Sequence, residues 1–158
     1  MRLHLLVLDG VFDLGLAALT DTLGTANELA ATLPDAPPPI ALTLVGVRKR
    51  VRTAQGLTVP VLPAASVRRP DVVLVPALGA KMPDTLAARL AQPDVADAML
   101  VLQRWSRAGA TLGAACTAPS CSLRVRCSTA SAPPPRGGWR RCSASAIRRS
   151  CSTSRACW

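Results

Sequence analysis

The sequence predicts an α/β fold: an open, mostly parallel sheet with helices on both faces, incomplete, and followed by an irregular basic tail. Three observations predict it. Short apolar runs alternate with segments of helical periodicity. The runs are apolar at consecutive positions, as in strands covered on both faces. The pattern stops after Thr117, where the composition changes. A length of 158 residues suits one domain. With 49% hydrophobic but only 3% aromatic residues, its core has to be built from Leu, Val and Ala.

Each element follows from its own signals. Residues 3–8 form a Leu/Val run ended by the turn pair Asp9-Gly10, and read as a buried strand. Leu16, Leu19, Leu23, Ala26 and Ala30 then recur at helical spacing until Pro34 closes the segment, with Asp13 placed to cap it. The triplet Pro37-Pro38-Pro39 is a loop, and residues 40–47 are a second strand. Gln55-Gly56 separates residues 51–53 from 57–61, a small hairpin. Residues 72–76 are a third buried strand, followed by the small-residue loop Ala77-Leu78-Gly79-Ala80. Asp84 is placed to cap a helix through Leu90. Pro93-Asp94 starts another, with Met99, Leu100, Leu102 and Trp105 as its apolar residues and Gly109 as its end. Residues 110–115 are a fourth strand, and Cys116 follows at once.

In open parallel sheets, ligands bind outside the carboxyl ends of the strands. Asp9, residues 76–79 and Cys116 all follow strands and are expected to converge on one crevice. The backbone N–H groups of residues 77–80 could serve a ligand oxygen there. His4, in the first strand, reads as a core or strand-end histidine. The basic run Arg48-Lys49-Arg50-Val51-Arg52 reads as a solvated strand end; neither a recognition helix nor interleaved aromatics mark it as a DNA surface. No run reaches the ~18–20 apolar residues of a bilayer span. The opening residues carry too short an apolar run, and no cleavage site, for a signal peptide. The expectation is a cytoplasmic protein with no membrane partner.

The order Leu6-Val7-Leu8-Asp9-Gly10, Asp13-Leu14, Ala26-Asn27-Glu28-Leu29, Leu44-Val45-Gly46, Asp71-Val72-Val73-Leu74-Val75-Pro76 and Gly113-Ala114-Ala115-Cys116-Thr117 resembles the DJ-1/PfpI family of the class I glutamine-amidotransferase-like superfamily. Within it, the chain is most similar to AraC-type transcription regulators of the GlxA-like group, which join a PfpI-like domain to a helix-turn-helix domain. The resemblance covers residues 1 to 117. It implies a flavodoxin-like sheet, a cysteine at a strand-to-helix elbow and an acidic residue near that sulfur. A helix amino terminus favours thiolate over thiol. Cys116 matches the elbow nucleophile position, and Asp9 or Asp13 the acidic one. Enzymatic members add a histidine after the elbow. None follows here, so no nucleophile–base pair can be assembled. The ligand-binding candidates are therefore Asp9, Asp13, Ala77, Gly79, Cys116 and Thr117. The resemblance implies a sensor of a small-molecule effector or a homodimerisation domain; no cofactor and no metal are expected. The rival reading is a stand-alone PfpI-like cysteine hydrolase, amidase or glyoxalase-type enzyme using Cys116.

Residues 118–158 differ from the rest. They hold eight arginines, no lysine and no acid, against eleven basic and nine acidic residues in 1–117. They also hold five of the six cysteines and nine serines. Those cysteines include no Cys-x-x-Cys pair and have no histidine beside them, which argues against zinc. The composition predicts a disordered tail with no packed core. A shift of reading frame accounts for it. One permitted set of synonymous codons for residues 136–148, regrouped one base earlier, reads Trp-Trp-Leu-Ala-Pro-Leu-Phe-Arg-Gln-Arg-Tyr-Pro. The same regrouping of residues 118–135 yields an apolar string at helical spacing that ends at Asp-Gly. Both strings look like the segment after the elbow cysteine in the GlxA-like regulators. The expected organisation is a partial PfpI-like domain in residues 1–117, a frameshifted tail in 118–158, and no helix-turn-helix domain. Specific DNA binding is not expected of this chain.

Overall fold

The computed structural model describes residues 1–115. The expectations that fall on Cys116, Thr117 and residues 118–158 lie outside the described residues.

Strand β1 (Arg2–Leu6) leads into helix α1 (Asp13–Ala30) and strand β2 (Ala41–Gly46). Two short strands, β3 (Val51–Arg52) and β4 (Thr58–Val59), pair antiparallel as the predicted hairpin, with Val51 opposite Val59. Strand β5 (Leu62–Pro63), a 3-10 turn (Ala64–Ser66) and strand β6 (Val72–Val75) follow. Helices α2 (Pro83–Leu90) and α3 (Pro93–Arg107) and strand β7 (Thr111–Ala114) complete the order. The main sheet has five strands in the order β5-β2-β1-β6-β7, and every pairing within it is parallel. Sequence periodicity does not reveal β5. It pairs at only Val45–Leu62 and Gly46–Pro63 and carries no pattern of its own.

The chain runs from β1 outward to β2, then returns across β1 to β6 and β7. Right-handed crossovers made in opposite directions place their helices on opposite faces. α1 accordingly covers one face and α3 the other. β1 shows the result in alternation. Leu3, Leu5 and Val7 pack with Leu16, Leu19 and Leu23 of α1, while Leu6 and Leu8 pack with Val95, Ala98, Leu102 and Trp105 of α3. Both sets are buried, which is why the strand reads as a continuous apolar run.

The helices start without side-chain caps. α2 and α3 each begin with proline at the first position, after the extended residues Met82 and Gln92. Proline suits that position because its missing N–H would have no intrahelical partner there. Asp84 is thus a first-turn residue, not the cap. At α1 the cap position belongs to Phe12, and the carboxylate of Asp13 turns instead to the hairpin loop. Gly109, at φ +93°, ends the α3 segment as expected. Leu100 is 65% exposed, contrary to its placement in the apolar stripe. Val95, Ala98, Leu102 and Trp105 share one face of α3, and Leu100 lies off it. The far end of α1 is tied down by Asn27, whose amide donates to Ile40 O at 2.9 Å and accepts from Ile40 N at 2.8 Å.

His4 is the middle residue of β1, opposite Thr43 of β2 and Val73 of β6. It is buried, and its Nδ1 has no hydrogen-bond partner among the described residues. Burial, aided by the charge of Arg2, holds its pKa below the ordinary 6.5 against the opposing pull of Asp71. A base whose folded pKa is depressed binds its proton more readily when unfolded. Stability is therefore whole above pH 6.5 and falls as the pH drops toward the lower folded value. His4→Leu should remove this part of the acid slope. Urea melts of both forms from neutral to mildly acid pH would check it; parallel slopes would contradict the assignment.

Candidate functional site

The segment after β1 is knitted to two neighbouring loops. Gly10, at φ +68°, turns the chain; this region disfavours side chains with a Cβ. Its N–H donates to Arg52 O at 2.7 Å, and Asp9 Oδ1 accepts from Arg52 N at 2.8 Å. Val11 O accepts from Ala54 N at 2.9 Å. On the other side, Phe12 N donates to Ala77 O at 2.8 Å and Gly79 N donates to Gly10 O at 2.7 Å. A Cβ on Gly79 would overlap that of Ala54 and press on Gly10 O, so only glycine fits where these loops meet.

A buried ion pair braces the same junction. The Arg89 guanidinium binds both carboxylate oxygens of Asp94 and donates from Nε to Asp9 O at 2.7 Å. Burial alone would raise the Asp94 carboxyl. Hydrogen bonds and charge from Arg89 outweigh it and hold the group below the usual carboxylate range. Arg89 closes α2 and Asp94 opens α3, so the pair fixes the α2–α3 corner against the end of β1.

The structure brings some of the predicted candidates together and leaves others apart. Asp9, Ala77 and Gly79 do meet at the carboxyl ends of β1 and β6, where the strand order reverses. The Gly79 N–H is taken by Gly10 O, and the Asp9 carboxylate is engaged with the Arg52 backbone. Asp13 lies one turn further on. Its Oδ2 accepts from Gln55 N at 3.1 Å, and its buried Oδ1 has no hydrogen-bond partner among the described residues. Asp13 also borders a groove of about 470 Å³ between α1 and the hairpin, walled by Leu16, Leu44, Leu57 and the hydroxyl residues Thr20 and Thr53. Ala115, the last described residue, donates to Val75 O at 3.0 Å, so β7 ends beside β6 at the same edge. Cys116 and Thr117 lie outside the described residues. His4 stands in the middle of β1, between Thr43 of β2 and Val73 of β6, and is not part of this junction.

Sequence reasoning missed Arg89, Asp94 and the 52–54 loop. Only the Arg89–Asp94 spacing across Pro93 was visible, and nothing local says that this pair is buried. Among the described residues, no group of three His, Cys, Asp or Glu side chains could hold a metal ion. No helix among them is long and apolar enough to cross a membrane.

By sequence, the chain matches no family model and no curated protein. By structure, it is similar to several solved proteins. A Vibrio parahaemolyticus protein described as a transcriptional regulator aligns with a TM-score of 0.59 at 14% identity, over 80% of this chain and 61% of that one. An AraC family transcriptional regulator from Pseudomonas putida aligns with a TM-score of 0.52 at 23% identity, over 72% of this chain and 54% of that one. A Bacteroides thetaiotaomicron protein described as protease I aligns with a TM-score of 0.54 at 16% identity, over 76% of this chain and 65% of that one. This chain thus spans little more than half the length of the two regulators. The parallel sheet in the order β5-β2-β1-β6-β7, with a helix on each face and loops gathered at its carboxyl edge, is the fold these solved proteins share.

Proposed function

We propose that residues 1–117 derive from the effector-sensing and dimerising domain of an AraC-type, GlxA-like transcription regulator, a cytoplasmic protein. The observation that carries this reading is the convergence of the Asp9–Gly10 turn and the 77–79 loop where the strand order reverses. In open parallel sheets that is where ligands bind. The likeness to an AraC family regulator over 72% of this chain supports it. In this reading the effector-binding candidates are Asp9, Asp13, Ala77, Gly79, Cys116 and Thr117. Leu14 and Leu57, 69% and 64% exposed at the rim of the Asp13 groove, suit contact with a second copy. The abrupt composition of residues 118–158 supports a frame displaced by one base, with the helix-turn-helix domain encoded in that other frame.

The product then binds DNA only through unspecific charge. In a gel shift with the operator of a related regulator, the full chain should give retention that vanishes as salt rises. Saturable, salt-resistant binding would refute the reading. The downstream nucleotide sequence tests the parentage: a helix-turn-helix frame one base away is expected, and its absence would count against the regulator origin.

A further inference from the structure

We propose that the cavity at the carboxyl end of β2 binds a small organic anion, a carboxylate or phosphate monoester on a short apolar body. The cavity measures about 320 Å³ and lies between the loop after β2, the 3-10 turn and α3. That volume falls at the low end of small-molecule sites, which run from about 300 to 1,000 Å³. Its walls are largely apolar, with Ala64 and Val101 among them, and its charged lining is three cations against one carboxylate: Arg48, Lys49 and Arg104 with Asp97.

The distribution of partners matters more than the count. Asp97 Oδ2 accepts from Arg48 Nη1 at 2.7 Å, so the one acid is already neutralised. Lys49 has no ion-pair or hydrogen-bond partner among the described residues. Arg104 reaches in from α3 and donates from Nη2 to Ala64 O at 3.2 Å. That bond holds the guanidinium at the rim and leaves its Nη1 and Nε donors for a ligand. A guanidinium fork matches carboxylate and phosphate oxygens in pairs, and a lysine adds a second point of charge. A solvated strand end explains Arg48 and Lys49 by themselves. It does not explain why Arg104, from a different element, joins them around an apolar hollow.

This inference goes beyond the regulator reading and does not rest on it. The cavity is lined by none of the residues of the Asp9 junction, and its residues would bind an anion whatever the parentage of the chain.

The test is calorimetric titration of the full 158-residue chain with benzoate, phenyl phosphate, inorganic phosphate and benzylamine at moderate salt. Benzoate and phenyl phosphate should saturate, inorganic phosphate should bind about tenfold more weakly, and benzylamine should not bind. Lys49→Met and Arg104→Met should each weaken the two organic anions about tenfold or more. Arg50→Gln, exposed and outside the cavity lining, should change little and so controls for general charge. If Arg104→Met fails to fold, Lys49→Met decides, read together with amide shifts at Ala64 and Val101 on adding benzoate. The proposal is overturned by absent saturation, by equal binding of inorganic phosphate, or by a loss in Lys49→Met no greater than in Arg50→Gln.

Discussion

Arg89→Met should destabilise the fold by about 3–5 kcal/mol, the range for breaking a buried ion pair from one side. The side chains of Arg89 and Asp94 are only 15% and 9% exposed, so water cannot take over the role of the lost guanidinium. Asp94 would keep its burial and lose its main counter-charge, and Asp9 O would lose the Nε donor. The pH dependence should also weaken. In the parent chain the Asp94 carboxyl is held below its ordinary 3.8, so the pair contributes stability above that value and loses it as pH falls through the folded one. With Arg89 gone, only backbone hydrogen bonds at Val95 and Asp9 still oppose the effect of burial on the group. The variant should then lose less stability in acid than the parent does. The double variant Arg89→Met/Asp94→Leu should recover much of the loss, since two apolar groups leave no charge buried. Urea melts across pH measure all three. A single-variant loss near zero, or an acid slope unchanged from the parent, would show that the pair does not brace the junction.

Trp105→Ala should cost about 3–5 kcal/mol, as for other large aromatic truncations in a core. Trp105 is fully buried among Val73, Val95, Ala98 and Leu102, and is the largest side chain in a core otherwise built from aliphatics. Its indole Nε1 also donates to Val67 O at 2.9 Å, which ties α3 to the segment entering β6. Truncation leaves both a void and an unpaired carbonyl. Trp105→Phe separates the two, because it keeps most of the volume and loses the donor. It should fall well short of the alanine loss. Domains of this size are stable by only about 5–15 kcal/mol, so the alanine variant should be partly unfolded at ambient temperature. A circular-dichroism melt reports this directly, and a wild-type midpoint for Trp105→Ala would refute the packing argument.

The elements that were legible in the sequence share one property: their burial writes a local pattern. β1, β2 and β6 are short apolar runs because both of their faces are packed, and β7 because Leu112 and Ala114 pack on the α3 side. α3 was legible from Leu102 and Trp105, which lie with Val95 and Ala98 on the stripe that faces the sheet. The turn at Asp9-Gly10 and the hairpin at Gln55-Gly56 were legible because Gly10 and Gly56 adopt positive φ, which glycine tolerates best. β5 was not legible, since two residues hydrogen-bonded to β2 carry no periodicity. Leu100 misled because an exposed leucine looks the same in sequence as a buried one. Asp13 and Asp84 sit where caps are expected, yet proline and extended residues begin those helices or the side chain finds a distant donor.

The sequence by itself determined the class of fold, the succession of strands and helices, and the edge of the sheet on which Asp9, Ala77 and Gly79 gather. Those follow from burial periodicity and from chain connectivity, which are local or nearly so. Tertiary structure alone decided that the Gly79 N–H is taken by Gly10, that Arg89 and Asp94 brace the end of β1, and that Arg104 lines an open hollow with Arg48 and Lys49. Each of these joins residues from separate elements. Their partners are set by where the packed sheet and helices place them, and a hydrogen bond between distant residues leaves no periodic mark on either segment.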